Sequence, residues 1–556
     1  MQACRMLGER YLWVDSLCIV QDDFDVKQEQ IDAMAEVYGS AAFTIIVATG
    51  SSMHDSVPGI SINRPGRVHT NMLGMSFLEI ETWNSSVNSS PEKLIDNSTW
   101  YKRGWTYQER VLSSKKLYFS DNDVFFQCSS SVKYDHLREA IYDQKGTTHE
   151  DLEEYADTPS ASSNRFLDFQ IHLIAYMKLS LTNESDILNA FAGILQAFVG
   201  DGYVPMFGVP PPALDQTILW VPCRDNEGEP MHLAARNIPD ITIPSWSWAL
   251  IKGYQDISFP RNFAGTLVTW FQLDKTQTSL RRIDQAPAQW GKDRTVEWNS
   301  DLLQDRERTE HELCCQGELY MVLALLAGCC EWAVPSDEYC LHTPLSFSDL
   351  RQEAARRWPS YEDYLQEMAE NVVAPVHHYQ RLKQTNASAV GASWCGVLWC
   401  RAQSALFNVT KAAEDGRLVI EDEERQYVGV FGVREGEPNM KHVLLRLAAG
   451  EDRVKCELIA LSVFVRFAWE SYVQSPFIAL DKLEVWDHWT DAMISVPENG
   501  LTFFDCEGNH LEYPAMVNVM AIWRDEEGFA FRMGLGEIFL TKWAKAERRF
   551  TDIALR

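Results

Sequence analysis

The chain has 556 residues, too many for one compact core, so two or three domains are expected. Hydrophobic residues make up 46% of it, with 19 Trp, which fits a folded globular protein and excludes a disordered tether. A formal net charge of −29 repels phosphate backbones and no stripe of Lys and Arg offsets it, so nucleic-acid partners are not expected.

Met1 to Met6 show no basic leader followed by an apolar run, so a cytoplasmic location is expected. The longest apolar run, Leu319 to Cys330, is shorter than the roughly 20 residues that span a bilayer and reads as core. Thirteen cysteines form an odd set without a CxxC pair, which points to reduced thiols.

In chain order, Arg10 to Asp15 reads as a short strand closing on an acid. Gln28 to Tyr38 reads as a helix with Ile31, Met34, Ala35 and Tyr38 on one stripe and Gly39 as its stop. Phe43 to Ala48 reads as an interior parallel strand, which completes a βαβ pattern. Trp83 to Thr99 reads as a loop, Arg103 to Leu112 as a helix, and Lys116 to Phe119 and Val124 to Cys128 as strands. Residues 129–164 are polar, acidic linker.

A helix is expected from Ser185, with an apolar face that runs through Ile187, Phe191, Ile194 and Phe198. Pro244 to Ala249 reads as an extended piece with both indoles on one side, core rather than ligand cage. The polar stretch Asp274 to Glu310 precedes a helix beginning at Ser360 and strands at Gly396–Cys400, Tyr427–Phe431, Val443–Leu447 and Val517–Trp523. The expected domains are therefore 1–150, a helical and Trp-rich extension at 165–270 that packs on it, and a mixed α+β, strand-rich C-terminal region at 311–556.

Two carboxylates stand out as candidate chemistry. Asp15 would lie at the C-terminal edge of a strand, where open α/β sheets bind ligands, although Asp also caps turns there. Glu109 shares a helix face with Trp105, and an aromatic wall raises a carboxyl pKa toward acid–base use; pairing with Arg103 or Arg110 on a solvated face is the alternative. Cys18 reads as a buried structural thiol more readily than as a nucleophile, because no local motif supplies a base. His377-His378 and the cysteines lack zinc spacing, so no metal is expected, and P-loop, GxSxG and GxGxxG motifs are absent.

Two long motifs carry a resemblance. Arg10-Tyr11-Leu12-Trp13-Val14-Asp15-Ser16-Leu17-Cys18-Ile19-Val20-Gln21-Asp22, followed by Met34-Ala35-Glu36-Val37-Tyr38, resembles the central signature of the fungal heterokaryon incompatibility (HET) domain. Arg103-Gly104-Trp105-Thr106-Tyr107-Gln108-Glu109-Arg110-Val111-Leu112-Ser113 fits that family's R-G-W-x-x-Q-E-x-x-L-S pattern. Downstream, Leu188 to Ile194, Pro244 to Ala249 and Arg532-Met533-Gly534-Leu535-Gly536 resemble segments that accompany the domain.

The resemblance implies an α/β N-terminal domain with a parallel sheet, of the TIR/flavodoxin-like type. A first strand and a Y-x-A-L-S-Y-x-W-G loop precede this segment in the family, so an N-terminally truncated domain is expected. It further implies a role in allorecognition after fusion of unlike fungal cells, a form of innate immunity in which the domain triggers programmed cell death or growth arrest. Likeness to TIR domains implies NAD cleavage, with NAD as substrate rather than cofactor, Glu109 and Asp15 catalytic, and Trp13, Cys18, Arg103, Trp105 and Gln108 lining the pocket. A protein partner in self/non-self recognition and a homo-oligomer are implied as well. The alternatives are a non-enzymatic signalling or assembly module, and an inactive copy.

Overall fold

The computed structural model describes residues 1–50, 55–62, 69–72, 75–78, 95–120, 124–128, 131–134, 165–199, 206–223, 233–238, 242–252, 256–258, 265–273, 280–283, 396–411, 418–432, 438–465, 484–487, 492–495, 501–504, 510–513 and 515–556. The run Leu319 to Cys330, the helix expected from Ser360, and most of the 129–164 and 274–310 stretches lie outside them. The chain divides into two compact units, Met1–Gly208 and Val209–Arg556.

The first unit opens with the short helices α1 (Gln2–Met6) and α2 (Asp15–Cys18). The strand expected at Arg10 to Asp15 is absent. Tyr11 to Val14 are outside any ladder, and Asp15 starts a helical turn, where its carboxylate accepts from the Ser16 amide at 2.6 Å. An acid in a first turn suits the unsatisfied amides there. The expected 28–38 helix is two helices, α3 (Phe24–Asp32), capped by the Asp23 carboxylate, and α4 (Met34–Ser40), which runs through Gly39.

A small mixed sheet follows. The strand β1 (Thr44–Val47) pairs in parallel with β2 (Lys115–Phe119), while β2 pairs antiparallel with β3 (Val124–Cys128) and β3 with β4 (Ser131–Tyr134). The expectation of a parallel sheet thus holds for one pair only. The link between β2 and β3 is too short for the crossover that parallel strands require. Val47 is 39% exposed, so β1 is not covered on both faces. Ile46, Tyr118 and Phe125 form the covered face with Ile95 and Ala48, and Tyr118 stacks on Phe125 at 4.5 Å.

Among the described residues the unit also contains the helices α5 (Trp105–Leu112), α6 (Arg165–Met177) and α7 (Asn189–Val199). The helix expected from Ser185 begins instead as a 3-10 turn, Glu184–Ile187. The rings of Phe169, Tyr176 and Phe191 knit α6 to α7.

In the second unit, six strands close on themselves. They are β5 (Leu398–Lys411), β6 (Leu418–Glu421), β7 (Tyr427–Phe431), β8 (Val454–Val465), β9 (Ala515–Arg524) and β10 (Ala530–Phe539). Around the ring, β5 pairs with β8, β8 with β9, β9 with β10, β10 with β7, β7 with β6 and β6 with β5, each antiparallel. Closure removes open edges. Glycine is required at Gly536, because a Cβ there would stand 2.7 Å from the Val430 carbonyl oxygen and 3.3 Å from Ile420.

Val443 to Leu447, expected as a strand, lies in the helix α8 (Lys441–Ala448), since a short apolar run fits either element and here only Val443 is buried. Pro244 to Ala249 is a turn leading into a 3-10 helix rather than an extended piece, held by the Ser247 hydroxyl accepting from the Ala249 amide. Trp246 and Trp248 are both buried, as the core reading requires. The Arg532 guanidinium is fully buried, lies 3.9 Å from the centre of the Trp220 ring, and donates to the carbonyls of Ile218 and Trp220.

Candidate functional site

The 103–113 signature divides between packing and a carboxylate cluster. Gly104 is buried where a Cβ would stand 2.6 Å from the Leu181 side chain, and its amide donates to the Ser180 carbonyl. Trp105 turns its indole N–H to Asp186 at 3.0 Å. The Thr106 hydroxyl caps the turn by donating to the carbonyls of Trp100 and Arg103. Tyr107 bonds His172 at 2.8 Å, and Gln108 donates to the Asn189 carbonyl at 2.9 Å. The Arg110 guanidinium lies over the rings of Tyr101 and Tyr107, and Ser113 bonds Thr44 on β1 at 2.7 Å.

Glu109 faces elsewhere. Its Oε2 accepts from the indole N–H of Trp100 at 3.0 Å, and Tyr38 on α4 lies near enough to act on its charge. Asp15 and Arg103 are close enough for their charges to act on both Glu109 and Tyr38. Trp13 meets Tyr38 edge to face, with ring centres 5.9 Å apart. Five stretches of chain therefore converge: the 11–14 segment, the start of α2, the end of α4, the turn before α5 and α5 itself.

Electrostatics sharpen the cluster. Burial pushes the Glu109 carboxyl above its ordinary value, and the negative charge of Asp15 pushes in the same direction; the Trp100 hydrogen bond, the Arg103 charge and the neighbouring Tyr38 hydroxyl oppose this without cancelling it. Burial raises the Tyr38 phenol as well, with Glu109 and Asp15 adding to the shift, so the hydroxyl remains a donor at neutral pH. Such a carboxyl takes up and releases a proton nearer neutrality than an exposed one.

Of the residues singled out in the sequence, Trp13, Asp15, Arg103 and Glu109 are brought together. Trp105 and Gln108 face the 184–199 helices. Cys18, expected to be buried, is exposed, and its sulfur accepts from the Val14 amide. The aromatic wall beside Glu109 is Trp100 and Tyr38, neither of which was a candidate. Tyr38 read as the last apolar position of a helix stripe; the usable signal was its hydroxyl ending an otherwise aliphatic face. Among the described residues, no group of three His, Cys, Asp or Glu side chains is placed to hold a metal ion, and no helix is long and apolar enough to cross a membrane.

Comparison with known proteins gives a family for this part of the chain. Residues 1–109 match the family model described as Heterokaryon incompatibility protein (HET), a match that ends on Glu109. The chain is similar to "Heterokaryon incompatibility protein 6, OR allele" of Neurospora crassa, 27% identical over 189 residues, which are 29% of this chain and 27% of that protein. The chain thus spans about a quarter of the length of that relative. No solved structure matches.

Proposed function

Since residues 1–109 are a HET domain, we propose that the protein acts in fungal heterokaryon incompatibility, with the Glu109 cluster as its reactive centre, and that the domain cleaves NAD to bring about cell death or growth arrest. The likeness to TIR domains implied by the signature belongs to this proposal. One observation carries the chemistry: a crowded carboxyl with a raised pKa, held by the Trp100 indole and flanked by a second carboxylate.

In hydrolysis of NAD the bond between ribose C1′ and the pyridinium nitrogen breaks, the electron pair leaves with neutral nicotinamide, and a water oxygen bonds to C1′. Ionised Glu109 takes the proton that this water releases, and its charge, with that of Asp15, stabilises the cationic ribosyl centre. Expression of the full chain with NAD followed over time tests this reading. Loss of NAD that disappears in Glu109→Gln is expected; killing without NAD loss, or full NAD loss in Glu109→Gln, refutes it.

A second reading has its own observation. Tyr11 and Leu17, which flank Asp15, are 82% and 72% exposed. A non-enzymatic assembly module would use such side chains as contacts, and Tyr11→Ser with Leu17→Ser would then abolish activity while Glu109→Gln spares it.

A further inference from the structure

On the proposed reading that Glu109 is the reactive carboxylate, we infer that Trp100 is its positioning residue, anchoring Oε2 and leaving Oε1 as the oxygen that meets water or a ligand. The indole N–H of Trp100 donates to Glu109 Oε2 at 3.0 Å. A Glu side chain turns about several bonds, so a charge-assisted hydrogen bond from a fixed donor decides where its carboxylate stands. The indole is neutral and donates only, so it orients the group without discharging it as a lysine or arginine partner would.

A donor positions its partner only if it is held in turn, and Trp100 is held at its backbone and its ring. Its carbonyl accepts from the Thr106 hydroxyl and the Arg103 amide, which ties it to the first turn of α5. Thr106 and Glu109 stand at i, i+3, so the backbone and the indole of Trp100 grip the same face of that helix. The ring packs edge to face on Tyr118, ring centres 6.1 Å apart, and Tyr118 is fully buried in the sheet, where it stacks on Phe125. The next residue, Tyr101, lies under the Arg110 guanidinium at 4.2 Å, so the turn is fastened to α5 by residues before and after Glu109. Trp105 supplies the contrast: it shares α5 with Glu109, yet its indole N–H goes to Asp186 at 3.0 Å. The two indoles therefore report on different carboxylates.

The test uses the full chain labelled with ¹⁵N at its Trp indoles, at mildly alkaline pH where Glu109 is ionised, in wild type, Trp100→Phe, Glu109→Gln and Asp186→Asn. The Trp100 indole resonance, assigned from its loss in Trp100→Phe, should shift in Glu109→Gln, where its acceptor loses the charge, and stay in place in Asp186→Asn. The Trp105 resonance should do the reverse. Trp100→Phe keeps an aromatic ring against Tyr118 but removes the donor, so NAD turnover should lose roughly tenfold or more in kcat at nearly constant KM, the pattern of an interaction realised in the transition state.

A Trp100 resonance that Glu109→Gln leaves unmoved, or a wild-type kcat in Trp100→Phe, overturns the inference. If the resonance responds as expected while wild type leaves NAD intact, the anchoring stands and the NAD reading fails. If NAD is consumed and Trp100→Phe turns it over as wild type does, the NAD reading stands and the positioning role fails. Should Trp100→Phe fail to fold, Glu109→Gln must still move an indole resonance that Asp186→Asn leaves in place, and the absence of one overturns the inference.

Discussion

Replacing Gly193 by Ala tests how the helices that carry the site are locked together. Gly193 lies on α7 where a Cβ would collide with the Gln108 side-chain oxygen of α5 and stand 3.2 Å from the Ala35 Cβ of α4. The new methyl must displace Gln108, which breaks its bond to the Asn189 carbonyl, and it must push α4, which bears Tyr38. Overpacking costs about 1–3 kcal/mol and the lost hydrogen bond about 1 kcal/mol, while Ala gains about 1 kcal/mol over Gly in a helix. The net is a loss of about 2 kcal/mol, or roughly thirtyfold in the opening equilibrium. Hydrogen exchange of peptides covering 105–112 and 189–199, read by mass spectrometry in the full chain, should accelerate by about that factor. Exchange as slow as wild type would refute the close-packing account, because relief of a helical glycine would then be the larger effect.

The raised Glu109 carboxyl predicts a pH signature in stability. Between its ordinary value of 4.5 and the raised folded value, the native chain holds a proton that the unfolded chain has released, so stability falls as pH rises through that window. Glu109→Gln has no proton to lose, so the difference between the two proteins in urea midpoint should grow in favour of the variant across the window and then level off; a constant difference would contradict the shift. In the second unit, Gly536→Ala should destabilise the closed sheet by about 2 kcal/mol, whereas Gly534→Ala, whose Cβ would meet nothing closer than 3.6 Å, should be neutral or slightly stabilising. Thiol labelling of the buried Cys400 and Cys456 distinguishes the two outcomes. Arg532→Lys should lower thermal stability by about 2 kcal/mol, because one ammonium cannot reproduce the fork that reaches both Ile218 and Trp220; an unchanged melting temperature would argue against that brace.

The sequence made some elements legible and hid others for definable reasons. Trp105–Leu112, Lys115–Phe119 and Val124–Cys128 stand close to where the sequence places them, since each is a compact run of apolar and aromatic residues with a neighbour to pack on. Tyr11 to Val14 has the residues of a strand, yet a strand exists only where a neighbour supplies a ladder, and no composition rule states where that neighbour is. Lys441–Ala448 is a helix although Val443 to Leu447 reads as a strand; Pro438 ahead of it and Gly450 behind it are the start and stop signals that distinguish the two. Closure of six strands into a ring depends on the long-range pairing of Leu398–Lys411 with Val454–Val465, which nothing local encodes. At the site, Asp15 and Glu109 were visible as carboxylates in signatures, but Trp100 was not, because an aromatic ring that packs and an aromatic ring that donates look alike in a sequence.

The contrast within the 103–113 signature bears on what family membership can say about activity. Gly104, Thr106, Tyr107, Gln108, Arg110 and Ser113 are each occupied with a neighbouring turn, helix or strand, so most of the motif is fixed by packing rather than by chemistry. A chain could therefore keep a strong match to the motif and a sound fold after its reactive group had been lost. The cluster behaves differently, since it draws Tyr38, Trp100 and Glu109 from three separate stretches and leaves Asp15 and Arg103 exposed beside them. On the proposed reading, the carboxyl at position 109 and its Trp100 partner bear on activity more than the length of the matching signature does. The NAD assay on Glu109→Gln, with Gly193→Ala as a fold-perturbing comparison, therefore separates loss of chemistry from loss of packing.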